Sequence, residues 1–153
     1  MKISPLILVL FFLAVYPSCE KGGVCTQSVL SVVNASFYGW DGEQEVDVFV
    51  NNFTLTGEGS DSLLYESISS VTRFSFPMDM NAISSTMILQ ADGLIDTLII
   101  NYTVVPILVS YDCGFTNAFE MSGLSYTRHL IDSVSMINNL ASLDNEENLK
   151  IFL

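Results

Sequence analysis

The sequence predicts an all-β protein, a single antiparallel β-sandwich (Ig-like or related) of about eight strands that follows an N-terminal signal peptide. Beyond residue 25, apolar residues recur with a period nearer to two than to that of a helix. The segments that carry them are short and rich in β-branched and aromatic residues, and Gly, Asn, Asp and Ser separate them. A strand with one buried face produces this alternation.

The alternation is clearest in two segments of the first half of the chain. Val46, Val48 and Val50 occupy alternate positions of one segment, and Phe74 and Phe76 occupy alternate positions of the other. Half-buried strands have this pattern. The same reasoning predicts strands over residues 30–38, 46–50, 72–76, 84–90, 97–102, 107–111, 114–121, 133–137 and 149–152.

Polar and glycine-containing segments separate the predicted strands. Residues 54–62 and 138–148 are predicted loops, and residues 63–70 offer at most one turn of helix. Because no repeat, low-complexity tract or second linker divides the chain, we expect residues 25–153 to form one domain. Turn signals occur at Asp41-Gly42, residues 57–61 and Asp92-Gly93.

The N-terminus has the pattern of an export signal. Residues 6–16 form an unbroken apolar run of 11 residues, whereas a transmembrane helix needs about 20, so the run is typical of a signal peptide. Ser18 followed by Cys19 resembles the cleavage site of a bacterial lipoprotein, in which the Cys is acylated and becomes the first residue. We therefore predict a signal peptide at residues 1–18, lipidation of Cys19 and a tether at residues 19–24.

The residues just before Cys19 leave an alternative open. Tyr16 and Pro17 depart from the usual lipobox, which has Leu and a small residue there, so ordinary cleavage without lipid is the competing interpretation. With lipid, two or more acyl chains would anchor the protein firmly. The predicted location is the cell envelope, with the lipid in the outer or inner membrane and the domain in the periplasm or at the cell surface.

Three cysteines are present, an odd number for an exported protein. Assignment of Cys19 to lipid leaves Cys25 and Cys113 as a pair, for which an oxidising compartment favours a disulfide over two buried free thiols. A zinc site needs about four closely spaced ligands, and the chain offers only this distant pair and a single histidine, His129. No metal site is predicted.

Charge argues against nucleic-acid binding. The chain has 17 acidic and 5 basic residues, a net charge of −12, and a phosphate backbone requires clustered Lys and Arg. An acidic surface is also repelled by anionic headgroups, so any membrane contact must be apolar or covalent. The basic residues that remain after signal removal are scattered along the chain: Lys21, Arg73, Arg128 and Lys150.

No set of residues predicts catalysis. His129 has no nucleophile-elbow motif to accompany it, and no phosphate-binding or zinc-protease motif occurs. On a strand, Glu43, Glu45 and Asp47 would share one face, which indicates either a Ca²⁺ site or, more simply, acids that protect an exposed strand edge from aggregation. We therefore predict no enzyme activity, no catalytic residue and no cofactor.

Several segments resemble an uncharacterised family of small Bacteroidetes lipoproteins. The similarity covers nearly the whole mature chain, and its most specific piece is the Ser-x-x-Cys-Gly-Phe sequence that ends at Phe115. The resemblance implies an envelope β-domain and assigns no site residues. The segments that carry it are residues 75–78, 96–102, 109–115 and 149–152.

Three triplets resemble the Asp-[Ser/Thr]-apolar acceptor of the O-glycosylation system associated with that bacterial phylum. The hydroxyl residues concerned are Ser62, Thr97 and Ser133. Ser62 is the best candidate, because it lies in a predicted loop.

The functional prediction is a non-enzymatic, lipid-anchored envelope domain that acts as a binding or scaffolding module. Its predicted partners are the membrane, through the anchor, and an envelope protein or glycan. The alternative is a carbohydrate-binding or carbohydrate-processing accessory protein, for which Trp40, Tyr38 and Tyr65 would supply stacking surfaces beside the acidic residues 41–47. An exposed, coplanar Trp40 and Tyr38 beside a cleft would favour this alternative, whereas burial of both would favour the scaffolding module.

Overall fold

Strands occupy most of the chain that the computed structural model describes, namely Cys25, residues 30–59 and residues 63–153. The described residues contain no helix, and so no helix of the length and hydrophobicity that crossing a bilayer requires. The predicted signal peptide, Cys19 and the tether lie outside the described residues. The strands are β1 (Val33–Asp41), β2 (Gln44–Asp47), β3 (Phe53–Gly57), β4 (Leu63–Ile68), β5 (Arg73–Phe76), β6 (Ser84–Ala91), β7 (Leu94–Ser110), β8 (Gly114–Tyr126), β9 (Ser133–Met136), β10 (Leu140–Ala141) and β11 (Leu149–Phe152).

These strands form two packed sheets. The larger sheet has the order β10-β8-β7-β6-β3-β4, and all its neighbours are antiparallel. The smaller sheet has the order β2-β1-β11-β9, with β5 pairing the first half of β1. The predicted all-β sandwich is confirmed, with one departure from an antiparallel arrangement: β1 and β11 are parallel.

The core lies between the two sheets and is built around a cluster of aromatic rings. Phe37 of β1 packs edge-on against Phe53 of β3, with ring centroids 5.3 Å apart, and Phe74 of β5 lies 4.8 Å from Phe53. Alternation along each strand directs these side chains inward. Other fully buried residues are Phe76, Leu55, Leu89, Leu98, Ile100, Ile131, Leu149 and Ile151.

The first strand changes neighbours half-way along its length. Val33–Ser36 pair with β5, whereas Tyr38–Asp41 pair with β2. Gly39 lies just past the change, and a Cβ at this position would be only 2.8 Å from Val48 Cγ2. A larger residue at this position would therefore have to displace the Val48 side chain.

Two predicted turns are confirmed by short connections with left-handed glycines. Gly42 (φ 66°) lies in the turn between β1 and β2. Asp92 and Gly93 form the two-residue connection between β6 and β7, with φ values of 48° and 83°. Positive φ at both central residues is the signature of the tight hairpin turn that Asp-Gly favours.

Two segments predicted as loop or helix are strands. Residues 54–57 of the predicted loop 54–62 belong to β3, where Phe53 and Leu55 are fully buried, so this part of the segment belongs to the core. The predicted helical turn at residues 63–70 is largely β4, which pairs with β3 at the edge of the larger sheet. Backbone pairing with β3 overrides the weak helical pattern of the sequence.

Two further boundaries differ from the prediction. The strand predicted at residues 46–50 ends at Asp47, and all four residues of β2 are exposed; Val50 is buried in an isolated bridge with Val71. The strands predicted at residues 97–102 and 107–111 are one long strand, β7, that runs through Pro106.

The end of the β7–β8 hairpin is tied to the N-terminal segment. Cys25 and Cys113 form a disulfide, with Cα atoms 4.9 Å apart, which confirms the predicted pair. Cys113 lies in the turn between β7 and β8, so the bridge joins this turn to the chain that precedes β1.

Within the loop predicted at residues 138–148, two residues form β10, and Ser142 and Asn148 are buried.

Candidate functional site

The outward surface of the smaller sheet carries the most distinctive group of side chains. Because side chains alternate along β1, Tyr38 and Trp40 face outward while Ala35 and Phe37 face the core. Strand register adds residues from both neighbours: Phe152 of β11 pairs with Tyr38, and Glu45 of β2 pairs with Trp40. We call this surface the aromatic face; it comprises Ser36, Tyr38, Trp40, Glu45, Asp47, Arg73, Glu147, Lys150 and Phe152.

A stacked pair of rings forms the centre of the aromatic face. The ring centroids of Trp40 and Phe152 are 5.4 Å apart, and the ring planes are inclined by 12°. Trp40 is 59% exposed whereas Phe152 is 7% exposed, so the indole lies over the phenyl ring and keeps a large surface open to solvent. Tyr38 flanks the pair, with its centroid 5.9 Å from that of Phe152.

Charged side chains surround the rings. Lys150 forms an ion pair with Glu45 and holds its Nζ 4.7 Å from the centroid of the Tyr38 ring. The hydrogen bond to Glu45 holds the pKa of the Lys150 ammonium above its usual value. Among the described residues, two of the three cationic side chains, Arg73 and Lys150, lie on the aromatic face, although the chain as a whole is strongly acidic.

Tyr38 connects the rings to a carboxylate. Its hydroxyl donates to the Glu147 carboxylate, at 3.1 Å from Oε1 and 3.2 Å from Oε2. Burial, together with the neighbouring Glu147 carboxylate, raises the pKa of the Tyr38 hydroxyl. The side chain is thereby held in one orientation beside the aromatic pair.

The loop that carries Glu147 is fixed by two buried asparagines. The backbone amide of Asn34 donates to Asn148 Oδ1 at 2.9 Å, and the backbone amide of Asn148 donates to the backbone carbonyl of Asn34 at 2.8 Å. Asn34 Nδ2 also donates to the Glu146 carbonyl at 3.0 Å, and Asn148 Nδ2 donates to the carbonyls of Asn138 and Leu140. Because these groups are buried and satisfied, they hold the loop on the sheet.

A shallow cleft of about 230 Å³ opens next to Tyr38. Arg73 crosses one side of it and donates from its guanidinium to the Asn145 carbonyl at 3.0 Å. The cleft is smaller than the roughly 300–1,000 Å³ of pockets that enclose a small molecule. The cleft is lined by Ser36, Tyr38, Asp47, Thr72, Arg73 and Glu147.

A larger cleft of about 500 Å³ lies elsewhere, between the end of β3, the start of β6 and the loop that follows β5. Its described lining consists of small, polar and acidic residues together with Met87, and includes no aromatic ring and no cation. Glu58 and Asp79 are its charged residues. This cleft lacks the combination of flat apolar surface and paired donors and acceptors that the aromatic face has.

A second polar cluster surrounds Asp96, whose side chain is fully buried. The carboxylate accepts from the Thr127 hydroxyl at 2.5 Å and from the backbone amides of His129, Leu130 and Ile131 at 3.0, 2.6 and 2.8 Å. Burial by itself raises the pKa of the Asp96 carboxyl, but these hydrogen bonds outweigh it and hold the pKa well below its usual value of 3.8. Asp96 therefore fixes the chain between β8 and β9.

His129 belongs to the Asp96 cluster. Its Nδ1 lies 2.9 Å from Asp96 Oδ1, and its side chain is 65% exposed. In a triad the other ring nitrogen would contact a nucleophile, and within the described part of the chain no hydroxyl or thiol forms a hydrogen bond with it. The arrangement holds the chain between β8 and β9, and the His129 side chain lies at the surface.

The structure separates the three aromatics suggested as stacking residues. Trp40 and Tyr38 lie together on the aromatic face, but Tyr65 does not join them. The Tyr65 hydroxyl donates to the Ser75 carbonyl and accepts from the Ser75 amide, and its ring lies 5.8 Å from that of Phe53. The suggestion of Tyr65 as a stacking residue is wrong, because Tyr65 packs against the core from the edge strand β4.

The acidic segment divides between a turn and the edge strand. Glu45 and Asp47 lie on the aromatic face as the alternation predicts, whereas Glu43 lies in the turn before β2, outside the strand. The described residues hold no group of acids, histidines or cysteines arranged to bind a metal ion. The strand occupies an edge of the smaller sheet, where exposed acids discourage pairing with other chains.

The suggested O-glycosylation residues lie in different surroundings. Ser62 is outside the described residues. Thr97 lies within β7, where it pairs with Ile88 of β6, and its amide donates to the Thr127 hydroxyl beside buried Asp96. Ser133 is exposed at the start of the edge strand β9. Of the described pair, only Ser133 is presented on an open edge, and its modification stays a prediction.

Sequence reasoning missed Ser36 and four more distant residues of the aromatic face: Arg73, Glu147, Lys150 and Phe152. These four lie far along the chain from Trp40, and only the pairing of β1 with β5 and β11 brings them together. The sole signal in the sequence was the scarcity of cations, which makes the position of each one informative.

Together, these features define a disulfide-linked all-β sandwich domain with a solvent-exposed aromatic face. Comparison with known protein families matches residues 52–153, from just before β3 to the C-terminus, with a family of unknown function, DUF6452. The chain belongs to this family, which confirms the expectation of an uncharacterised family. Neither the curated proteins nor the solved structures contain a match to this chain. The matched range includes Arg73, Glu147, Lys150 and Phe152 and excludes β1 and β2.

Proposed function

We propose that this protein is a non-enzymatic binding module of the bacterial cell envelope, anchored by lipid on Cys19, and that its aromatic face binds a neutral carbohydrate. The observation that carries the proposal is the exposed indole of Trp40, stacked on Phe152 next to a polar cleft. This arrangement favours a carbohydrate ligand over a purely scaffolding role, because a scaffold has no need of a solvent-exposed indole.

Carbohydrate chemistry matches a flat aromatic surface. One face of a pyranose ring presents several C–H bonds, which carry slight positive charge and are attracted to the negative face of an aromatic ring. Phe152 supports the indole from below, so Trp40 is held flat and little conformational entropy is lost when a sugar stacks on it.

The polar surroundings match the hydroxyl groups of a sugar. Asp47 and Glu147 supply acceptors in the cleft, and Arg73 supplies donors. Lys150 and Glu45 already neutralise each other. Because the chain is acidic overall, uronic acids and sulfated sugars would be repelled, so the ligand is a neutral glycan.

The shape of the site supports binding without catalysis. The cleft is shallow and open, whereas enzymes generally exclude water from the reacting groups. The His129–Asp96 pair holds the chain between β8 and β9 in place. We therefore assign no catalytic residue and no cofactor.

Export and anchoring rest on a separate group of observations. The apolar run at residues 6–16, followed by Ser18-Cys19, resembles a lipoprotein signal. The resemblance of the mature chain to small Bacteroidetes lipoproteins supports the same location. The Cys25–Cys113 disulfide supports an oxidising compartment outside the cytoplasm. The proposed location is the outer or inner membrane, with the domain in the periplasm or at the cell surface.

Affinity electrophoresis tests the carbohydrate proposal. The protein is run through gels that contain a soluble β-glucan, a mannan or a xylan, with alginate as the charged counterpart. We expect retardation by at least one neutral polysaccharide and none by alginate. Trp40→Ala should abolish the retardation, whereas Tyr111→Ala, which removes a ring that is 99% exposed on the β7–β8 hairpin, should not.

Three outcomes would contradict the proposal. Absence of retardation with all neutral polysaccharides would exclude the proposed ligand class. Equal loss in both variants would show that the aromatic face is not the site. Release of shorter oligosaccharides during incubation would show that the protein is an enzyme.

Metabolic labelling with a fatty-acid analogue tests the anchor. The native chain should be labelled and Cys19→Ala should not, because the thiol of Cys19 is the proposed acylation site. Equal labelling of the two chains would contradict acylation of Cys19 and leave the carbohydrate proposal unaffected.

A further inference from the structure

We propose that the tip of the β7–β8 hairpin contacts the membrane interface. The tip comprises Leu108, Tyr111 and Phe115. The inference rests on the lipid anchor of the proposed function, and it goes beyond that function by assigning a membrane-contacting surface to the folded domain itself.

The tip continues the apolar inner face of the larger sheet beyond the core. β6 pairs with β7 only as far as Asn101. Beyond that residue, most of the β7–β8 hairpin is a ribbon of two strands only. Leu108 and Phe115 are directly paired across this ribbon. Leu108 lies an even number of positions from the buried Tyr102 on β7, and Phe115 lies an even number of positions from the buried Phe119 on β8. Because side chains alternate along a strand, all four face the same side.

The side chains at the tip are unusually exposed for their hydrophobicity. Tyr111 is 99% exposed, Phe115 is 73% exposed and Leu108 is 52% exposed. Solvation of three neighbouring large apolar groups is costly unless something covers them.

Covalent connectivity places this tip close to the proposed lipid. Cys113 lies in the turn between Tyr111 and Phe115, and its disulfide holds Cys25 there. Ser31 reinforces the arrangement, because its hydroxyl donates to the Asn117 carbonyl at 2.6 Å. Cys25 follows Cys19 by six positions, so the acylated residue lies within about 20 Å of the disulfide even when the chain is fully extended.

The chemistry of the tip favours a lipid surface over another partner. Tyrosine and other aromatic rings partition to the boundary between headgroups and acyl chains, where the ring is apolar and the hydroxyl remains wet. Asp112 is the one charged residue between Leu108 and Phe115, and no cation accompanies it. The contact is therefore apolar, and a zwitterionic surface suits it better than an anionic one.

The two tethers act together. A lipid on Cys19 restricts the domain to the neighbourhood of the bilayer, so even a weak contact of the hairpin tip is made at high effective concentration. The contact fixes the orientation of the domain on the membrane.

Depth-dependent fluorescence quenching tests the contact on the full acylated chain. Trp40 is the only tryptophan, so Trp40→Phe combined with Phe115→Trp places a single reporter at the tip. The protein is incorporated into phosphatidylcholine vesicles that contain lipids brominated at different depths. We expect the emission of the tip reporter to shift to shorter wavelength and to be quenched, and more strongly than that of Trp40 in the otherwise native chain.

The outcomes separate this inference from the proposed function. A chain that is acylated and floats with vesicles, but whose tip reporter is quenched no more than Trp40, would overturn the membrane contact and leave the anchor intact. A chain without acyl mass that does not float would overturn both. Concentration-dependent dimers of Cys19→Ala that Phe115→Asp disperses would show that a second copy covers the tip, and would also overturn the contact.

Discussion

The indole of Trp40 lies flat against the ring of Phe152, although the two residues come from opposite ends of the domain. The planes are inclined by 12° and the centroids are 5.4 Å apart. The parallel pairing of β1 with β11 makes the contact possible, because it sets Tyr38 beside Phe152 and brings Trp40 within reach of it. The aromatic face is thus a product of topology, and its parts can be tested separately from the core.

Trp40→Ala should affect binding much more than folding. The residue is 59% exposed, and an aromatic pair contributes about 0.5–1.5 kcal/mol beyond its area burial, so we expect a loss of about 1 kcal/mol in the free energy of unfolding. Phe37→Ala, at a fully buried ring, should lose about 3–5 kcal/mol. Urea denaturation of both variants measures the difference, and comparable losses would contradict an open aromatic face.

Asp96→Ala should be among the most destabilising polar substitutions in the domain. It leaves the amides of His129, Leu130 and Ile131 without their acceptor, and lost bonds to a charged group cost about 1.5–3 kcal/mol each before relaxation. We expect a total loss of about 3 kcal/mol or more. The control is Asp132→Ala, at an exposed position nearby, which should change the stability little.

Acid should destabilise the domain through the same carboxylate. The folded-state pKa of Asp96 lies below its usual value of 3.8, so the ionised form stabilises the fold fully above that pH, and the contribution is lost as the pH falls toward the folded-state pKa. The stability difference between the native chain and Asp96→Asn should therefore shrink from about pH 5 to about pH 3. Denaturant titrations across this range measure it, and a constant difference would contradict the role of the ionised carboxylate.

Removal of the disulfide should lower stability without changing the fold. Cys25 and Cys113 are separated by 88 positions, and a bridge of this kind contributes roughly 2–4 kcal/mol by restricting the unfolded chain. Cys113→Ser should show this loss while retaining the circular dichroism spectrum of a β protein. Intact-mass measurement after alkylation, with and without reduction, provides the control, since the native chain should alkylate at these cysteines only after reduction.

Lys150→Gln should leave stability nearly unchanged. Its ion pair with Glu45 lies on a solvent-accessible surface, where such pairs contribute little to stability and are screened by salt. Thermal denaturation at low and high salt measures the effect. A large, salt-independent loss would show that the pair supports the sheet, in contrast to the binding role assigned to this surface.

The sandwich could be predicted because alternation and turn residues are local signals. The segments 84–90, 97–102 and 149–152 lie within or coincide with strands, and Asp92-Gly93 forms the expected tight turn. β3 was missed because its apolar pattern is short and runs into glycine and polar residues. β7 was divided at Pro106, yet among the described residues β8 is its only strand neighbour there, so a residue without an amide hydrogen is tolerated.

The candidate site could be predicted only in part. Trp40, Tyr38 and the acids of β2 are close in sequence, so their proximity was visible. Phe152 and Glu147 reach them only through the pairing of β1 with β11, which no local pattern encodes. The role of Asp96 was equally hidden, because its partners are backbone amides more than 30 positions away.

The fluorescence of Trp40 provides the most direct test of the proposed carbohydrate binding. Because it is the only tryptophan, a sugar that stacks on it must change the emission of the native protein. The protein is titrated with neutral oligosaccharides of β-linked glucose, mannose or xylose. We expect a saturable shift of the emission to shorter wavelength with at least one of them, and unchanged emission with all of them would contradict the assignment of the aromatic face as a carbohydrate-binding surface.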